Sequence, residues 1–172
     1  VNSPFYGLSF HVTSVAQAVT MIGFGGVRSL VVAASLSDVL VQQLAVYGFS
    51  ERGLWKNSIA TATMARAISV AAGRPPDESE DAFIAGLIRD IGMLVLGPFL
   101  AQAGHSLRRQ DGDSDIIQRE RELIGYDHCW VGERVGEKWR LPHTIRLALA
   151  RHHRVPPGLT PDQACLLAAV RL

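Results

Sequence analysis

Cysteine is scarce in this chain, with Cys129 and Cys165 the only two among 172 residues. They form no Cys-x-x-Cys pair and cannot build a disulfide framework, so they read as two thiols of a soluble protein in a reducing compartment, with a cytoplasmic location expected. An excess of either charge sign is also missing. Lys plus Arg number 17 against 16 Asp plus Glu, a formal net charge of +1. That balance argues against a dedicated nucleic-acid binder, which carries a basic excess on one face, so no nucleic-acid partner is expected. The longest unbroken apolar stretch, around Leu30 to Leu36, falls far short of the roughly 20 residues that cross a bilayer, and no membrane partner is expected. No basic leader followed by an apolar run and a small-residue cleavage site opens the chain. Strand patterning, internal repeats and low-complexity tracts are absent as well. What is present is a globular composition, 48% apolar and 19% charged, long enough for a single domain with a substantial core. The chain opens on Val1 and stops at Val170-Arg171-Leu172 in mid-pattern, so it reads as a piece of something longer.

Helical periodicity dominates and predicts an all-α fold of roughly eight or nine helices. Val15, Ala18, Val19 and Ile22 repeat at helical spacing behind a Ser14/Gln17 capping box, with Gly23 as a stop. A second apolar segment runs from about Val27 to Tyr47 and closes at Gly48. Ser50 is expected to cap a helix over Glu51 to Ala72, and another runs from Ser79 to about Asp90, bending near Gly92. A continuation from Met93 to about Ala103 carries Pro98. Gly104 to Asp113 reads as a loop. Ser114 caps a helix to Leu123, Asp127 caps one to about Trp139, Pro142 sits in the first turn of the next, and Thr160 with Gln163 opens the last.

The informative residues are polar groups on stripes that should be apolar. Asn57 lines up with Ala60, Thr61, Met64 and Ile68. Asp90 lines up with Phe83, Leu87 and Leu94, His128 with Val131, Val135 and Trp139, and His152 with Ile145, Ala148 and Leu149. His153, about 100° further round, is expected to point elsewhere. A buried polar group left unpaired costs about 1–3 kcal/mol, so four of them in one small domain are most economically satisfied by one another. An Asp with two His is also the vocabulary of a metal site. Arg119 and Arg121, interleaved with acids, read as a solvated face with Arg108 and Arg109. Cys129 reads as a small apolar filler, and Trp55, Trp130 and Trp139 read as anchors between helices.

These residues resemble a known pattern. Leu54-Trp55-Lys56-Asn57-Ser58, the run from Ala82 to Gly92, Gly125-Tyr126-Asp127-His128, Val131-Gly132, Trp139-Arg140-Leu141-Pro142 and His152-His153 are similar to the HD superfamily of metal-dependent phosphohydrolases, and to its HDOD branch in particular. Asn2-Ser3 and Met21-Ile22-Gly23 match that branch's upstream half. The resemblance implies a compact HD-like helical bundle, one HDOD-type domain over 1–172. Residues 1–50 would be the remnant of an N-terminal helical half whose first helices are missing, and 51–172 the HD-like half.

The same resemblance implies which residues stand at the former metal site: Asn57, Arg89, Asp90, His128, His152 and His153. Catalytic HD enzymes have a His where Asn57 stands and a His-Asp pair where Arg89-Asp90 stands. The related HD-GYP enzymes have a Lys at Met93, a Glu at Arg154 and a Gly-Tyr-Pro motif where this chain runs Val155-Pro156-Pro157-Gly158. With two ligand imidazoles gone, no catalytic residue, metal or cofactor is expected; any metal would rest on Asp90, His128 and His152. Two placements of Arg89 remain open, beside Asp90 as a substitute cation or out in solvent. The function implied is a non-catalytic regulatory domain of bacterial signal transduction, working through protein partners or fused signalling domains. A one-metal phosphohydrolase and a nucleotide sensor lined by Arg89 and His128 are the alternatives. The N-terminal third, with Leu30, Val31, Ala34, Leu40, Val41 and Leu44 around one helix, should need cover from a second copy or another partner.

Overall fold

The computed structural model describes residues 2, 11–41, 44–107, 116–153 and 157–170. Among the described residues there are eight α-helices, one 3-10 turn and no strand. The loop arginines Arg108 and Arg109, the Ser114 cap and Arg154 to Pro156 lie outside them.

Helix α1 spans Val15–Leu40. Its start follows the expected box: the Gln17 N–H donates to Ser14 Oγ at 3.1 Å, and Gln17 Oε1 accepts from the Thr13 N–H at 2.9 Å. Gly23, at φ 74° and ψ 167°, breaks the rod into two arms, a conformation that only glycine adopts at little steric cost. The second arm ends at Leu40 and does not reach Tyr47. Ala45–Tyr47 form a separate 3-10 turn, because Leu44, Val46 and Tyr47 must all turn inward to join the core. Val15, Phe24 and Val31 on α1 stay 58–76% exposed.

Helix α2 spans Gly53–Ala71, and Ser50 does not cap it with its side chain; Arg52 takes the cap position at φ 60°. Its buried face is Leu54, Ser58, Thr61, Ala62, Ala65 and Ser69, so the expected stripe through Met64 and Ile68 points outward, and Asn57 is half-buried at the edge. Small residues dominate that face because α3, Pro76–Ile88, comes very close. A Cβ on Gly86 would stand 2.9 Å from the Ala62 Cα. Helix α3 starts at Pro76, three residues ahead of the expected Ser79, since Pro is well suited to a first turn. Ser79 is instead buried against Ser69, 3.2 Å between hydroxyls.

Arg89 and Asp90 form the break before α4, Ile91–Gln102, which continues through Pro98. Helices α5, Ile116–Ile124, α6, His128–Lys138, α7, His143–Arg151, and α8, Pro161–Val170, complete the bundle. Asp127 caps α6, accepting from the Trp130 N–H at 2.7 Å, and Thr160 and Gln163 form a reciprocal box before α8. Pro142 occupies the cap position of α7 and not its first turn. Of the three tryptophans, Trp55 packs against the core. Trp130 and Trp139 are 45% and 46% exposed and do not act as buried anchors; Trp130 stacks on Tyr126 at 4.6 Å, and the Arg134 guanidinium carbon lies 5.6 Å from its ring centroid.

Candidate functional site

The α3–α4 break, the start of α6 and the end of α7 meet at one buried point. Helix α4 crosses α6 with backbone against backbone, because Gly92 offers no side chain: a Cβ there would lie 2.0 Å from the His128 carbonyl oxygen. That contact sets His128 beside Asp90. Asp90 occupies the cap position of α4, yet its carboxylate makes no cap bond and is left for the site. Asp90 Oδ1 lies 3.3 Å from His152 Nε2 and 3.9 Å from His128 Nε2. Asn57 Nδ2 donates to Oδ2 over a longer 3.4 Å. Asn57, Asp90, His128 and His152 are therefore brought together.

Arg89 is turned inward. Its Nε donates to Asp90 Oδ2 at 3.1 Å and its Nη1 to the Val170 carbonyl at 2.7 Å, with 11% of the side chain exposed. Of the two open placements, the structure has the one beside Asp90. Burial alone would raise the Asp90 pKa, but the His152 bond and the Arg89 charge outweigh it and hold the carboxyl well below the usual range.

His153 departs from expectation. Its Nε2 comes within 3.1 Å of His128 Nε2, and its ring centroid is 4.5 Å from that of His152. The 100° separation applies inside a helix, and α7 ends at Arg151, so the chain is free to turn His153 back. Cys129 is no mere filler either, with Sγ 3.7–3.9 Å from the His152 ring nitrogens.

Two participants are additional to the sequence reading. Glu120, fully buried, accepts from Tyr47 Oη at 2.7 Å and from the His128 backbone N–H at 2.8 Å, and its Oε2 faces His128 Nδ1 at 2.8 Å. It sits in a run of charges, but Ile117, Glu120 and Ile124 share one helical stripe, the signal that marks it. Burial and Glu120 together push the Tyr47 hydroxyl far above its ordinary value. At His128 burial opposes the charged form, while Cys129 and Glu120 raise its pKa to about 10. His152, desolvated but bonded to Asp90, is raised to about 9. His153 is lowered to about 4 by burial and by the two neighbouring imidazoles. Glu120→Gln keeps the shape but loses charge-assisted bonds, so we expect a stability loss of about 1.5–3 kcal/mol in urea unfolding; a change below about 0.5 kcal/mol would remove Glu120 from this role.

The HD donor set does not fit these residues. Where it needs two more imidazoles, the chain places an amide that donates to Asp90 and a guanidinium that pairs with it, and a guanidinium has no lone pair to offer.

An all-α bundle built around a buried Asp–His cluster at an interrupted α3–α4 helix is an HD-like helical domain. The HDOD domain family matches residues 1–155, and the chain belongs to that family. Among solved structures it is similar to an HDOD domain protein with unknown function from Geobacter sulfurreducens, 22% identical with a TM-score of 0.70, over 99% of this chain and 57% of that one. It is similar to a protein of Shewanella amazonensis SB2B named "Putative phosphohydrolase", 21% identical, TM-score 0.70, over 98% of this chain and 61% of that one. A third, named "Putative signal transduction protein", comes from Marinobacter aquaeolei VT8, 26% identical, TM-score 0.71, over 98% and 38%. An uncharacterized protein of Treponema pallidum (strain Nichols) is 22% identical over 160 residues, 91% of this chain and 30% of that protein. The chain thus spans less than two thirds of the length of each of these relatives.

Proposed function

We propose that this chain is a non-catalytic regulatory domain of a bacterial signalling protein, acting through protein partners or fused signalling domains. One observation carries the reading: the Arg89 guanidinium pairs with Asp90 and is tied to the Val170 carbonyl. It puts a fixed positive charge where an HD hydrolase needs its Asp for a cation that polarises phosphate and activates water. The nucleotide-sensor reading finds less support, since Arg89 already spends its Nε and Nη1 within the protein and His128 is fully buried. In this reading the partner contacts fall on α1, where Val15, Phe24 and Val31 stand out of the surface. The test is hydrolysis of cyclic dinucleotides and p-nitrophenyl phosphate with Mn²⁺, Fe²⁺ or Zn²⁺ added. The expected rate equals the protein-free blank. Metal-dependent turnover that disappears in Asp90→Asn would overturn the proposal.

A further inference from the structure

We infer that a cleft between α2, α3, α7 and α8 binds a small zwitterion, a free amino acid with an aliphatic side chain. The cleft measures about 160 Å³. It shares no residue with the Asp90–histidine cluster, so the inference does not depend on the regulatory reading. Its apolar wall is Ala82 of α3 with Cys165 and Leu166 of α8. Ala82 and Leu166 are only 1% and 9% exposed, so this wall suits a hydrocarbon side chain.

The polar groups around that wall divide into acceptors and donors. Glu78 and Asp81 of α3 supply carboxylates, while Ser69 of α2, Arg74 and Thr144 of α7 supply donors. Each carboxylate is committed on one oxygen only. Arg74 donates from Nε and Nη2 to Glu78 Oε2, and Arg28 Nη2 donates to Asp81 Oδ1 at 2.5 Å. Glu78 Oε1 and Asp81 Oδ2 take no hydrogen bond from the described residues. Burial raises the Asp81 pKa more than the Arg28 charge lowers it, so this carboxylate still lacks compensation that an ammonium would supply.

Ser69 is the matching donor. It is 4% exposed, and the Ser69 and Ser79 hydroxyls share a single bond of 3.2 Å. Two hydroxyl protons and one bond leave one proton without an acceptor among the described residues. With Ser79 donating, the spare proton is that of Ser69, on the cleft wall. Buried donors are normally paired, and a ligand carboxylate would accept this one. Helix α7 opens without a side-chain cap, and Thr144 stands in its first turn, where an anionic group is favoured. The two carboxylates and the two guanidiniums paired with them sum to zero charge. A bare amine or a bare carboxylate would leave one charge unmatched there, whereas a zwitterion engages both sets and keeps the balance.

Calorimetric titration of the purified chain with L-leucine should show one saturable site. Isoamylamine lacks the carboxylate and 4-methylpentanoate lacks the ammonium. Each should bind at least about 10-fold more weakly, the loss of one charge-assisted hydrogen bond. Asp81→Asn should weaken leucine by the same factor. Occupancy should also slow alkylation of Cys165 by iodoacetamide, followed on its peptide by mass spectrometry. Thr144→Trp, at an exposed position on the rim, should block binding with the helical circular dichroism unchanged, which separates a filled cleft from lost folding. No saturation by about 10 mM leucine, an amine or a carboxylate that binds as tightly as leucine, or binding that leaves Cys165 alkylation unchanged overturns the inference.

Discussion

Gly92→Ala should destabilise the domain by at least about 3 kcal/mol, the upper end of ordinary overpacking. The new methyl would sit 2.0 Å from the His128 carbonyl oxygen, 2.8 Å from its carbon and 3.0 Å from the Gly132 nitrogen. All three are backbone atoms, so no side chain can swing aside and α4 must lift from α6. Gly132→Ala is the control on the same interface. Its Cβ would meet nothing nearer than 3.7 Å, and an alanine inside a helix gains about 0.5–1 kcal/mol over glycine. Urea unfolding of the pair should therefore give changes of opposite sign. A Gly92→Ala midpoint near the parent's would mean that the helices do not cross this closely.

Arg89→Met should lower stability by about 3 kcal/mol, the low end for breaking one side of a buried ion pair. The value is low because His152 remains 3.3 Å from Asp90. The same change removes the donor to the Val170 carbonyl, so α8 should become the first segment cut in limited proteolysis. Adding Asp90→Asn should recover part of the loss, since no lone charge is then buried. If the double variant is no more stable than the sum of the single changes, Arg89 and Asp90 are not coupled.

Local hydrogen-bond chemistry was the most legible part of the sequence. Ser14, Asp127 and Thr160 cap because a side-chain acceptor next to a bare N–H needs no information from the rest of the chain. Asp90, His128 and His152 were legible because they interrupt strongly apolar stripes. Asn57 was placed on the wrong stripe because α2 carries small residues on its buried side, where periodicity of size and of hydrophobicity part company. That side is dictated by Gly86 on another helix. Glu120 was hidden by its charged neighbours, and its partner Tyr47 lies 73 residues away. The His153 placement depended on where α7 stops, and helix ends are the least determined feature of a periodic pattern.

The break at Gly23 changes what the most apolar helix can be. Among the described residues, Val15–Leu40 is one of two stretches long and apolar enough to cross a bilayer; in the other, Pro76–Gln102, 78% of an 18-residue apolar window is buried inside the protein. A straight rod of 26 residues would measure about 39 Å at 1.5 Å per residue, enough for a hydrocarbon layer of about 30 Å. The φ of 74° at Gly23 divides it, and the longer arm, Phe24 to Leu40, measures only about 25 Å. Neither arm reaches from one interface to the other as folded here. To span, the helix would first have to straighten at Gly23, and its second arm would have to give up the Arg28–Asp81 ion pair that holds it to α3.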